Sequence, residues 1–138
     1  MTTSVTFYAF PPALTPVRLA STANVVGTYS NGLLNNGIGA TLTISGGLAA
    51  LDGVNLNLYD YVLLNAQTNA NENGIYQVTS LGAPTVLTRR VDLQSIEQVK
   101  DGQFVSVGAG ATLAGSIWTI VEPLPAIFGI NSLVFAKA

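Results

Sequence analysis

Seven carboxylates are the groups in this chain best suited to acid–base chemistry: Asp52, Asp60, Glu72, Asp92, Glu97, Asp101 and Glu122. A pair of them flanking a sugar linkage is what polysaccharide cleavage requires. Asp52, Glu72 and Asp101, however, each stand beside Gly or Asn-Gly, where an acidic residue serves the conformation of a turn. No spacing brings two of the seven together. The chain has no His, so a general acid or base would have to be a carboxylate with a strongly displaced pKa. Serine hydrolase chemistry lacks its base partner, and with no Cys there is no thiol nucleophile, thiolate metal site or disulfide. The stretch Asn69-Ala-Asn-Glu-Asn-Gly74 copies the opening of a calcium loop, with oxygen side chains at positions one, three and five and Gly at six. Position twelve is Ser80 instead of a bidentate Glu, no Asp occurs among the first ligands, and amide oxygens alone hold calcium weakly. A hairpin loop is the better reading. Gly108 to Gly115 is rich in Gly and Ala, but no Lys-Ser or Lys-Thr follows and no helix opens after it, so it too reads as a flexible hairpin. The expectation is a protein that is not an enzyme, with no metal and no cofactor.

Charge and aromatic residues offer binding instead. Arg89-Arg90 followed by Asp92 is the one dense charge cluster. In an extended strand the two Arg point to opposite faces, so one enters the interior or an interface while the other faces water. A buried Arg calls for a carboxylate, with Asp60 and Asp92 as the candidates, and an internal strut is favoured over a ligand site. Tyr29, Tyr59, Tyr61, Tyr76 and Trp118 could stack on sugar rings. Trp118, within Ser-Ile-Trp-Thr-Ile-Val, suits the core. Tyr59 and Tyr61 share a face by the period of two and make the better surface pair, with a subunit interface preferred over glycan.

The bulk composition points the same way. The chain has 138 residues, enough for one domain with a substantial core. Only 9% of residues are Asp, Glu, Lys or Arg, against ~25% in an ordinary soluble domain. So neutral a surface tends to associate, which implies that part of it is covered by a partner. A net charge of −2 argues against nucleic acid, since phosphate contact needs a basic field. Mean hydropathy is +0.45, yet no run approaches the ~18 apolar residues of a spanning helix, so no membrane partner is expected. Met1-Thr-Thr-Ser has neither the basic start nor the apolar core of a secretory signal, which predicts synthesis in the cytosol.

The elements that would carry these groups are β. Expected strands are Arg18 to Leu19, Thr41 to Ile44, Tyr59 to Leu64, Ile75 to Thr79, Thr85 to Arg89, Gln103 to Val107, Ser116 to Val121 and Ser132 to Ala136. They are short and separated by Gly or Asn clusters, which suggests an all-β antiparallel sandwich or small barrel. Leu93 to Lys100 is the one helical candidate, with Asp92 as N-cap and Glu97 and Lys100 at i, i+3 spacing. Residues 1–16 read as an extended N-terminal arm, because Pro11-Pro12 and Pro16 remove ladder donors. The arm carries Phe7, Tyr8 and Phe10. Residues 17–138 form the sandwich domain. Two loops stand out: Gly27 to Gly39, which surrounds Leu33-Leu34, and the polar Asn65 to Gly74. Loops on a rigid β frame are where recognition sits.

The order of several short segments resembles a β-sandwich module of tailed-phage virions, found in capsid decoration (cement) proteins and in tail fibre and tailspike heads. Val17 to Val25 comes first, then Leu51-Asp-Gly-Val54, Asp60 to Leu64, Gln67 to Tyr76, Thr88-Arg89 with Asp92, Gly102 with Val105, and Trp118. The family usually has Gly-Asp-Arg-Val-Leu where this chain has Tyr59-Asp60-Tyr61-Val62-Leu63, so the Arg of that motif has no counterpart at position 61. Arg90 also stands where a small residue is common. The resemblance implies a compact sandwich, commonly trimeric, that builds a particle. Fibres usually add coiled-coil heptads or β-helical repeats, and none appear here. A free-standing knob on the outer capsid surface therefore fits best: a structural viral protein that contacts the major capsid protein and itself as a homotrimer. The alternative is a receptor-binding head of a tail fibre or tailspike, for which a host-surface glycan would be a further partner. The residues expected at subunit or capsid contacts are Phe7, Tyr8, Phe10, Pro11, Pro12, Tyr59 and Tyr61.

Overall fold

The computed structural model describes residues 13–138. It is all-β, with eleven short strands in three sheets. The strands are β1 (Leu19–Ala20), β2 (Thr28–Ser30), β3 (Thr41–Ile44), β4 (Ala50–Leu51), β5 (Val54–Asn55), β6 (Tyr61–Leu64), β7 (Gly74–Ser80), β8 (Thr85–Arg89), β9 (Phe104–Ser106), β10 (Ile117–Val121) and β11 (Val134–Lys137). Six of them form a sheet in the order β1-β6-β7-β8-β3-β2, three form a sheet β11-β10-β9, and β4-β5 is a separate ribbon. Every pair of strands is antiparallel except β1 with β6.

The large sheet is buried on both faces, which explains why β6 reads as a continuous apolar run, Val62-Leu-Leu64, and not as an alternation. One row crosses four strands in register, Leu19, Val62, Tyr76 and Arg89. Its apolar members pack with Leu42, Leu87, Leu51 and Leu56 in one core, which the β4-β5 ribbon covers. The opposite row, Ala20, Leu63 and Ile75, joins Val105, Ile120 and Phe135 of the three-stranded sheet in a second core. Filling both faces is what a chain with 49% hydrophobic residues can do.

The segment 13–20 stitches the two larger sheets together. Leu14 N–H donates to Phe104 O (2.8 Å) and Val17 N–H to Ser106 O (3.0 Å), while Arg18 N–H donates to Tyr61 O (2.8 Å). Leu14 is only 9% exposed and belongs to the second core. The expected arm of residues 1–16 is therefore shorter at its C-terminal side: residues 13–16 are part of the domain. The prolines do not prevent this, because the donors come from Leu14 and Val17.

The helix expected over Leu93 to Lys100 is a single 3-10 turn, Ile96–Gln98. Gln98 Oε1 accepts from Gln94 N–H (2.7 Å) and Ser95 N–H (3.2 Å) at its start. Asp92 is not the cap, because its carboxylate is taken by Arg90. The hairpin Gly108 to Gly115 is clamped, not free. Asp52 accepts from the Thr112 hydroxyl (2.8 Å), from Thr112 N–H (3.1 Å) and from Leu113 N–H (2.9 Å), and Ala111 N–H donates to its carbonyl (2.8 Å). Partial desolvation pushes the Asp52 carboxyl up, but the Thr112 hydroxyl and the Leu113 and Thr112 N–H groups together outweigh it and hold the group below its ordinary value. A pKa lowered in the folded state contributes stability above the unfolded value, about 3.9, and that stability is lost as pH falls through the folded one. Acid titration followed by the amide resonances of Thr112 and Leu113 should show the clamp opening at that step. The Asp52→Asn variant should lack it, and an unchanged transition in that variant would place the titrating group elsewhere.

Candidate interaction surface

Arg89 organises one end of the molecule. It ends β8, whose alternation buries Thr85, Leu87 and Arg89 on one face. It is 2% exposed, and no carboxylate meets it among the described residues. Its guanidinium donates instead to Asn73 O through Nη1 (2.9 Å), to Asn71 O through Nη2 (2.8 Å), and to the Tyr29 hydroxyl through Nε (3.1 Å) and Nη2 (2.9 Å). Phe128, Tyr76 and Tyr29 present their rings at 4.6, 5.0 and 5.4 Å from its central carbon. Ring faces and carbonyl dipoles thus replace the expected acidic partner. Burial raises the phenol pKa of Tyr76, and also that of Tyr29, against the lowering pull of the Arg89 charge. Both hydroxyls stay neutral, and that of Tyr76 donates to Glu72 O.

Asp60 and Asp92 serve the other two arginines. Arg18 Nη1 pairs with Asp60 Oδ2 at 2.6 Å, and Arg90 grips Asp92 through Nε (2.6 Å) and Nη2 (3.0 Å). Arg90 is buried too and lies 4.8 Å over the Tyr61 ring; its Nη1 has no hydrogen-bond partner among the described residues.

Around Arg89 four loops are tied to each other. Asn31 Nδ2 donates to Phe128 O (3.0 Å), Asn71 Nδ2 to Gly129 O (2.9 Å) and Asn73 Nδ2 to Leu133 O (3.0 Å). Gly39 N–H donates to Gln94 Oε1 (3.1 Å). Asn71 and Asn73 of the calcium-like stretch therefore hold backbone in place. Gly129 is required at this junction: its φ is +79°, and a Cβ there would collide with Asn31 Oδ1.

This framework holds apolar side chains in solvent. Leu33 is 98% and Leu34 76% exposed, and Ile38, Ile127 and Ile130 on the adjoining loops are also exposed. Single exposed apolar residues are ordinary, but a set of them on loops bonded to one another is a candidate contact surface. The Leu33-Leu34 loop is visible in the sequence. Ile127 and Ile130 are not, although the apolar run Ala126-Ile-Phe-Gly-Ile130 outside any strand is the signal that could have found them.

The residues expected at contacts fall apart. Phe7, Tyr8, Phe10, Pro11 and Pro12 lie outside the described residues. Tyr59 is 64% exposed, but it sits in the turn before β6 with φ +70°, and β6 begins only at Tyr61. Tyr61 is half-buried against the second core beneath Arg90. The two therefore do not share a strand face, and Tyr59 alone remains on the surface. Trp118, expected in the core, is half-buried at its margin. Comparison with protein-family models, with curated proteins and with solved structures finds no match.

Proposed function

We propose that the protein is a capsid decoration (cement) protein of a tailed phage, which binds the outer capsid surface as a trimer. It would bridge neighbouring major capsid subunits and add buried area across joints stressed by packaged DNA. The observation that carries this reading is the exposed apolar set Leu33, Leu34, Ile38, Ile127 and Ile130, on loops tied to Arg89 through Tyr29 and through the Asn31 and Asn71 amides, in a chain with twelve charged residues. A surface that neutral and that firmly held suits a permanent contact with protein. The order of segments that resembles the phage virion module supports the same reading. In it, the loop surface and residues 1–12 supply the contacts with the shell or with a neighbouring subunit.

Cosedimentation with capsids lacking the protein tests it. The full chain should travel with the capsids at saturating stoichiometry. A chain shortened to begin at Ala13 keeps Leu14 and should fold, yet bind capsids at least about tenfold more weakly, given ~1.5–3 kcal/mol for each large apolar side chain withdrawn from contact. Undiminished binding by the shortened chain would remove residues 1–12 from the contact, and failure of the full chain to bind would overturn the reading.

A further inference from the structure

We infer that the open end of the second core is a binding site for a single sugar residue bearing a carboxylate. The inner face of the three-stranded sheet carries the row Ile120 and Phe135, which are cross-strand partners inside the core. Two residues along each strand, on the same face, stand Trp118 and Lys137, again directly opposite one another. Here the covering sheet has ended, and the row opens into a cavity of about 210 Å³. Ser21 and Thr22 after β1, Asn65 and Ala66 after β6, and Leu113 from the Asp52-clamped hairpin complete its wall.

Each group presents a function that a carboxylated sugar would use. The Trp118 indole N–H is already spent on Ser116 Oγ (3.0 Å), which fixes the ring as a wall. An aromatic wall of this kind stacks on the apolar face of a pyranose. Asn65 is oriented by Ser21, whose Oγ donates to its Oδ1 (2.7 Å) and accepts from its backbone N–H (3.0 Å). Its Nδ2 has no partner among the described residues and is left as a donor at the cavity for a sugar hydroxyl. Lys137 makes no ion pair among the described residues, whose two ion pairs are those of Arg18 with Asp60 and Arg90 with Asp92. A cation on the inward-facing row, next to an aromatic ring, complements an anion. The size decides the scale of the ligand: 210 Å³ lies below the ~300 Å³ at which drug-sized pockets begin, so one ring is accommodated. The site is independent of the loop surface assigned to the capsid.

Trp118 is the only Trp in the chain, beside five Tyr, so fluorescence excited selectively at the indole reports on this cavity. The full chain should be titrated with methyl β-D-glucuronide, with methyl β-D-glucoside and with sodium acetate. The glucuronide should give a saturable change, and the neutral glucoside should bind about tenfold more weakly, the scale of one charge-assisted contact. Lys137→Ala, a change at an exposed position, should remove that difference while leaving the response to glucoside in place. Asn65→Ala should weaken both sugars. No saturable response to glucuronide, an equal response to both sugars, or an equal response to acetate would each overturn the assignment. In the last case Lys137 holds any small anion, or only protects the edge of β11.

Discussion

Replacing Arg89 by alanine is expected to destabilise the folded domain by about 3–5 kcal/mol, the scale of cutting a large core side chain back to alanine and leaving buried acceptors without a donor. The reason is geometric. Asn73 O would lose its donor in a buried place, and Asn71 O and the Tyr29 hydroxyl would lose theirs in partly buried ones. The rings of Tyr29, Tyr76 and Phe128 would face a cavity, which adds its own cost. Lysine should not rescue the loss, since one ammonium cannot reach two carbonyls and a hydroxyl in the directions a planar guanidinium does. Gly74 states the same constraint from the other side, because a Cβ there would strike Arg89 Nη1. Chemical denaturation of Arg89→Ala and Arg89→Lys gives the values. A loss below ~1 kcal/mol for alanine, the level of an ordinary surface change, would mean that Arg89 does not hold the loops together.

The second large effect concerns binding and leaves the fold alone. Leu33→Asp with Leu34→Asp should reduce capsid binding at least about a hundredfold, while unfolding stability changes by about 0.5 kcal/mol or less. Burying two leucines in an interface contributes roughly 3–6 kcal/mol, and two desolvated carboxylates would oppose it. The small stability change follows from their exposure, 98% and 76%, which leaves little packing to lose. Cosedimentation beside a denaturation curve separates the two quantities. Binding that survives the double change would move the contact away from this loop.

Much of the frame was legible because its physics is local. β3 and β8 match their expected limits, since Thr41-Leu-Thr-Ile44 and Thr85-Val-Leu-Thr-Arg89 are β-rich runs closed by Gly or Pro on at least one side. Strands β2, β4 and β5 were not foreseen, because two- or three-residue ladders amid Gly and Asn carry no period. β propensity assigns Tyr59 to the strand, but the turn before β6 overrides it. Alternation turns Arg89 inward, but Arg90, expected in water, is buried too, because the strand ends at Arg89 and Arg90 folds over the Tyr61 ring. That the partners of Arg89 are carbonyls and rings does not follow from alternation, because backbone acceptors have no residue type to read. The apolar Leu33-Leu34 loop was visible as composition; its junction with Ile127 and Ile130 exists only through long-range bonds such as Asn31 to Phe128. Trp118 followed a core pattern, and only the place where the covering sheet stops puts it at an opening.

A cement present across the whole shell is bound in numbers that the shell sets, so copy number in purified virions decides the proposed role. Quantitative mass spectrometry against the major capsid protein should find this chain near parity with it. A few copies to a few tens per particle would contradict the capsid assignment and indicate a tail fibre or tailspike component, and complete absence would exclude a virion role.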